Sequence, residues 1–341
     1  TWMANTLDQD LGRYAEAFAM RERAVQLAPL SIVAMFNYSD QLIKRNRLAE
    51  ADQELEKLAS LAPGMYALLH GLRLSVGGHW ADGALGWLES LRIDPDNRRM
   101  RSLLAYWFAM LALEEEALAI IRDDPDPAVL SWVGRPRQAL TVARAKLEAE
   151  LAEYPDSPGS DDEIGLALAS VGDYVAARPH LEAYWQGDGG GLVGPGFRID
   201  HAAALIVARR AAGEEDNVAD LLAAVRDNVR RYREAGISTS FEIGGPNYEE
   251  GLASYLEGDR QKGLELIARA VEDGHFIPPS EAYLQALYEH PDFAAIRAMQ
   301  EARQARERAR FLAVVCSDNP YAAVWQPAAA TCERFAAVNG Y

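Results

Sequence analysis

The chain has 341 residues, 49% of them apolar and 25% charged, and carries a formal net charge of −17. That length buries a sizeable core in one to three domains. The acidic balance argues against a nucleic-acid partner, because phosphate contacts need clustered Lys and Arg; it keeps a protein soluble and admits basic or apolar partners.

Alanine, leucine, glutamate and arginine are abundant, which favours helix, and Val-Ile-Thr alternation is scarce, so no strands are expected. No apolar run approaches the roughly 18 residues of a membrane span, and there is no signal-peptide pattern. Thr1-Trp2-Met3-Ala4 opens without an initiator Met and without a helix cap. The chain therefore reads as part of a longer protein, with room for an anchor, a signal or a catalytic domain upstream.

The first recognisable element is Gly12-Arg13-Tyr14-Ala15-Glu16-Ala17, followed by Ala24 and Pro29. Thirty-four residues further on stand Asn46, Leu48, Ala51, Leu58 and Pro63, and thirty-two beyond those Gly78, Trp80, Gly83, Ser90 and Pro95. Gly or Asn permits a tight, left-handed turn between two helices. The large residue two positions later packs into the hairpin, the small residue lets the helices approach, and Pro ends the second helix. A fourth unit places its turn at Leu113-Glu114-Glu115, ahead of Ala117 and Ile121. A fifth, degenerate unit has Trp132 and a long helix at 138–153, with no turn glycine in register. Gly165, Gly172, Tyr174, Ala177 and Leu181 make a clear sixth, Gly213 opens a divergent seventh, and Tyr248, Gly258, Gly263 and Ala270 make an eighth.

Four marker positions recurring together at this period resemble the tetratricopeptide-repeat (TPR) family. The resemblance covers about residues 1–276. It implies an all-α, right-handed superhelix of about eight helical hairpins, with units near 1–29, 30–63, 64–95, 96–126, 127–156, 158–186, 198–236 and 246–276. Capping helices follow over 277–315, and a tail over 316–341 is expected to fold back on the last hairpins. The stretch from His275-Phe276-Ile277 to Val315 also resembles the ends of TPR sensor regions in bacterial signalling proteins linked to adenylate cyclase or winged-helix domains.

In the TPR family the first helix of each unit lines a concave groove. By register this nominates Trp2, Thr6, Phe36, Asp40, Lys44, Leu68, Leu72, Tyr106, Tyr248, Leu252 and Tyr255 as groove residues. Aromatic anchors beside a few polar groups suit a peptide or helix. The chaperone-binding subclass uses Lys and Asn at fixed first-helix positions; Trp2 and Thr6 stand there instead, which argues against chaperone tails. The implied partner is a protein or peptide, and oligomerisation is left open.

No catalytic, metal or cofactor motif is found. The glycine-rich connection at 187–196 lacks the Lys and the preceding strand of a phosphate loop. Histidines 70, 79, 180, 201, 275 and 290 form no His-x-x-x-His pair, and Asp123-Asp124-Pro125-Asp126 lacks the glycine and terminal Glu of a calcium loop. Ser-x-x-Lys and Gly-x-Ser-x-Gly are absent. The connections at 186–197 and 236–247 break the repeat and are candidate functional loops. The only cysteines, Cys316 and Cys332, bracket a turn-rich segment. A disulfide there implies an extracytoplasmic, periplasmic-side location; two free thiols imply the cytoplasm. The expected function is a non-catalytic binding module, the sensor or scaffold part of a larger bacterial signalling protein. The alternative is the regulatory region of an enzyme, such as a nucleotide cyclase, whose catalytic domain lies upstream.

Overall fold

The computed structural model describes residues 2–153, 161–186, 199–214, 218–238, 245–278 and 282–339. Among them there is no strand. The glycine-rich connection at 187–196 and residues 239–244 of the second irregular connection lie outside the described residues.

The helices follow one another as hairpins. The first joins α1 (Trp2–Asn5) and a π-helical turn (Thr6–Asp10) to α2 (Tyr14–Leu27). Then come α3 (Ile32–Lys44) with α4 (Leu48–Leu61), α5 (Pro63–Ser75) with α6 (Trp80–Ile93), and α7 (Arg98–Met110) with α8 (Glu114–Ile120). The second half pairs α9 (Pro127–Trp132) with α10 (Pro136–Glu153), α11 (Asp161–Ser170) with α12 (Tyr174–Gln186), α13 (Ile199–Ala211) with α14 (Val218–Glu234), and α15 (Gly245–Glu257) with α16 (Arg260–Glu272). A short α17 (Gln285–Tyr288), a long α18 (Phe293–Val315) and α19 (Ala329–Asn339) complete the chain.

Local chemistry sets these boundaries. Ser31, Asn97, Asp126 and Asp259 cap α3, α7, α9 and α16 through side-chain oxygens that accept backbone N–H groups. The hairpin turns are closed by residues of positive φ, in which the next N–H reaches back five residues: Arg47 N to Leu42 O, Asp173 N to Leu168 O, Asp259 N to Ser254 O. Two turns differ from the sequence reading. In the fourth hairpin Ala112, with φ 52°, takes the left-handed position one residue before the expected turn. In the fifth, Gly134, with φ 75°, is the turn glycine. It falls out of register because α9 is only six residues long.

The ends of the array meet. Ser238 N donates to Lys44 O at 3.0 Å, and Arg231 reaches Leu11 O. Tyr14 packs on Tyr232 with ring centroids 4.8 Å apart and donates to Asn228 Oδ1 at 2.9 Å. Between the third and eighth hairpins the backbones touch at Gly78 and Gly274, where Trp80 Nε1 donates to Gly274 O at 3.1 Å. Helix α18 then crosses from α16 to α6 and the end of α7, with Gln304 on Met110 O and Arg310 on Asp82. Part of its charged surface is therefore buried: Glu307 is 2% exposed and accepts from Ala81 N. These contacts bring the later hairpins back against the start of the chain, so the expected groove becomes a partly open central pocket.

The tail docks elsewhere than expected. Trp325 is buried against Phe108 and Phe311, and Glu116 Oε1 accepts from both Ala328 N and Thr331 Oγ1 at 2.9 Å. The tail thus covers the fourth hairpin, because α18 has already carried the chain across the molecule. Cys316 and Cys332 form a disulfide with Cα atoms 5.4 Å apart. Replacing both by Ser is expected to cost about 3 kcal/mol through the freed loop. Urea unfolding checks this, and Trp325 should stay docked in native buffer because its apolar contacts remain.

Candidate functional site

The partly open centre holds a cavity of about 610 Å³. That is the size of a small-molecule or side-chain site. Its wall is built from the C-terminal ends of α3, α5, α7, α9 and α16, the N-terminal ends of α4, α6, α13 and α15, and the segment Gly274–Pro278. One side is aromatic. Phe276, 5% exposed, inserts between Trp80 and Trp132, edge-on to Trp80 at 5.7 Å and tilted against Trp132 at 5.4 Å. The other side is polar, with the ion pair Asp40–Lys44 at 3.0 Å and the carboxylates Asp200, Glu272 and Asp273.

Of the residues nominated by register, the fold brings Asp40, Lys44, Leu72 and Tyr248 to this wall. The others go elsewhere. Trp2 is 79% exposed at the start of the chain, and Thr6 lies in the π-helical turn. Phe36 and Leu68 pack against the cores beneath the first hairpins. Tyr106 turns to Trp132 and donates to Asp126. Leu252 is fully buried, and Tyr255 donates to Ala286 O in the C-terminal core. Phe36 and Leu68 stand in the N-terminal halves of α3 and α5, whereas the wall uses the C-terminal ends of those two helices.

Sequence reasoning missed Trp107, Asp200, His275 and Phe276. Trp107 follows the chosen Tyr106 by one residue, a rotation of about 100° around the helix. His275 and Phe276 stood beyond the last repeat, and only closure of the array carries them inward. The His275 imidazole lies against Tyr248 at 4.2 Å, with Nε2 shielded and without a hydrogen-bond partner, although part of the residue's surface stays exposed. Burial pushes its pKa down to about 3, so the ring is neutral.

Behind the wall lies a second polar feature. Glu249 is fully buried and its carboxyl makes no hydrogen bond. Burial, then the charge of Asp200, holds its pKa well above the usual carboxylate range, which the nearby Asn228 amide offsets in part. Tyr14 and Tyr232 at the same seam are also raised, chiefly by burial.

Among the described residues no group of three His, Cys, Asp or Glu is placed to hold a metal ion, and no helix is long and apolar enough to cross a membrane. The geometry offers shape, apolar contact and a negative field. No known protein-family model matches the chain, and no curated protein matches it in sequence.

Proposed function

We propose that this chain is a TPR-like, non-catalytic binding module whose working surface is the central cavity, and that it serves as the sensor or scaffold part of a larger signalling protein. One observation carries the reading. Asp40, Lys44, Leu72 and Tyr248, from three different hairpins, converge on a single cavity together with Trp107 and Phe276. A repeat scaffold places its ligand on the face shared by successive units. Closure of the array suits a ligand that enters end-on, such as a peptide terminus or a protruding side chain, better than a long helix laid in a groove. The Cys316–Cys332 bond supports a place outside the reducing cytoplasm.

Leu72→Trp tests the reading by filling the cavity from α5, where Leu72 is only half-buried. The variant is expected to keep its melting temperature within a few degrees and to lose at least tenfold in affinity for whatever the parent protein captures from its native source. Full binding by a folded Leu72→Trp protein would place the working surface elsewhere.

A further inference from the structure

We propose that the seam between the first hairpin and α14 is a pH-operated joint, which closes the array while the Glu249 carboxyl is protonated and parts when it ionises. Glu249 is fully buried on α15, where the two ends of the array meet. Asn228 links the two sides. Its Oδ1 accepts from Tyr14 OH at 2.9 Å, 214 residues away in sequence, and its amide faces Glu249. The seam is lightly held. Tyr14, Tyr232 and Ile237 form a small core of their own, separate from the larger cores of the first and the last hairpins. Beside it stand two polar contacts across the seam, Ser238 N on Lys44 O and Arg231 on Leu11 O.

The neighbours of Glu249 leave a charge on it unbalanced. On α13, Asp200 faces it and repels a second negative charge, while His201 stacks on Tyr184. On α14 stand the neutral Asn228 amide and Tyr232, and on α2 Tyr14. The cations nearby are engaged elsewhere. Arg233 of α14 and Lys262 of α16 pair with Glu250, the next residue, and Arg231 pairs with Asp227. Arg21 pairs with Asp8, and Arg45 of α3 lies on Phe18 and on Tyr14 O. Burial, then Asp200, keeps the folded carboxyl protonated well above the usual carboxylate range. Opening carries it into water, where its ordinary value of 4.5 returns. The closed state thus holds a proton that the open state releases. Opening is therefore favoured by up to about tenfold per pH unit above about pH 4.5, until the folded value is reached. Lys44 and Ser238 also line the cavity, so the same opening widens the way into it.

Hydrogen exchange of the intact chain tests this, read by mass spectrometry at pH 5.5, 6.5 and 7.5 and corrected for the intrinsic rate. Peptides covering 11–20 and 229–238 report the seam, and a peptide covering 80–93 reports α6 as the reference. Protection at the seam should fall at least about tenfold from pH 5.5 to pH 7.5 while α6 holds. In Glu249→Gln, which keeps the shape and cannot ionise, protection at the seam should stay constant. Glu249→Leu, equally unable to ionise, takes its place if Glu249→Gln does not fold. No loss at the seam in the parent protein overturns the proposal, as does a loss of the same size in these variants. An equal loss in α6 also overturns it, because the whole molecule then unfolds and the seam is no joint.

Discussion

Gly274→Ala is expected to cost 3 kcal/mol or more of stability and to open the molecule between its third and eighth hairpins. Two effects add. Gly274 has φ 103°, where a side chain is strained whatever the space; that strain alone is worth about 1 kcal/mol. The added Cβ would also lie 2.3 Å from Gly78 N and 2.7 Å from both Gly77 C and Gly78 Cα. These atoms are backbone, so no rotamer change relieves the clash. The two loops must part, and Trp80 Nε1 then loses its acceptor at Gly274 O. Gly213→Ala is the matched control. Gly213 has φ 79°, but nothing lies within 4 Å of its added Cβ, so only the conformational cost of about 1 kcal/mol should appear. Denaturant unfolding compares the two, and small-angle scattering reads whether the Gly274 variant expands. Equal losses for both would show that closure at Gly78 adds nothing to stability.

This contact also marks the boundary of what the sequence reveals. Gly12, Asn46, Gly78, Gly172 and Gly258 all take positive φ, and each was visible as a turn because the requirement is local. Ala112 was not visible, since alanine gives no sign that neighbouring packing will force it left-handed. Gly134 was present but discounted, because the short α9 moved it out of the repeat register. The disulfide could be expected from the only two cysteines; the tail's docking on Glu116 and Phe108 could not, because it depends on where α18 delivers the chain. The site followed the same division. Asp40, Lys44 and Leu72 are inner-helix positions fixed by local register. His275 and Phe276 reach the cavity only through the accumulated curvature of eight hairpins, a long-range property that no single turn encodes.

The pH dependence of stability should show two opposed contributions, from the His275 imidazole and the Glu249 carboxyl. His275 has a folded-state pKa lowered by burial from 6.5 to about 3, so the native state refuses a proton that the unfolded chain accepts. Its contribution is fully present above about pH 6.5 and is lost as pH falls toward about 3, with a slope approaching 1.4 kcal/mol per pH unit. Glu249 behaves in the reverse sense. Its folded-state pKa is raised well above 4.5, chiefly by burial, so the native state holds a proton that the unfolded chain releases. Its contribution is fully present below about pH 4.5 and is lost as pH rises toward the folded value. His275→Phe keeps a ring against Tyr248 and removes the titrating nitrogen. It should flatten the acid limb between about pH 6 and pH 4 without changing the slope above pH 7. Glu249→Gln keeps the shape and removes the ionisation. It should match the parent protein near pH 4 and exceed it by a margin that grows with pH. Urea unfolding at pH 4, 5.5, 7 and 8.5 separates the two. An acid limb unchanged in His275→Phe would show that the imidazole is protonated in the folded state, and a Glu249→Gln advantage that does not grow with pH would show that this carboxyl is already ionised in its buried seat.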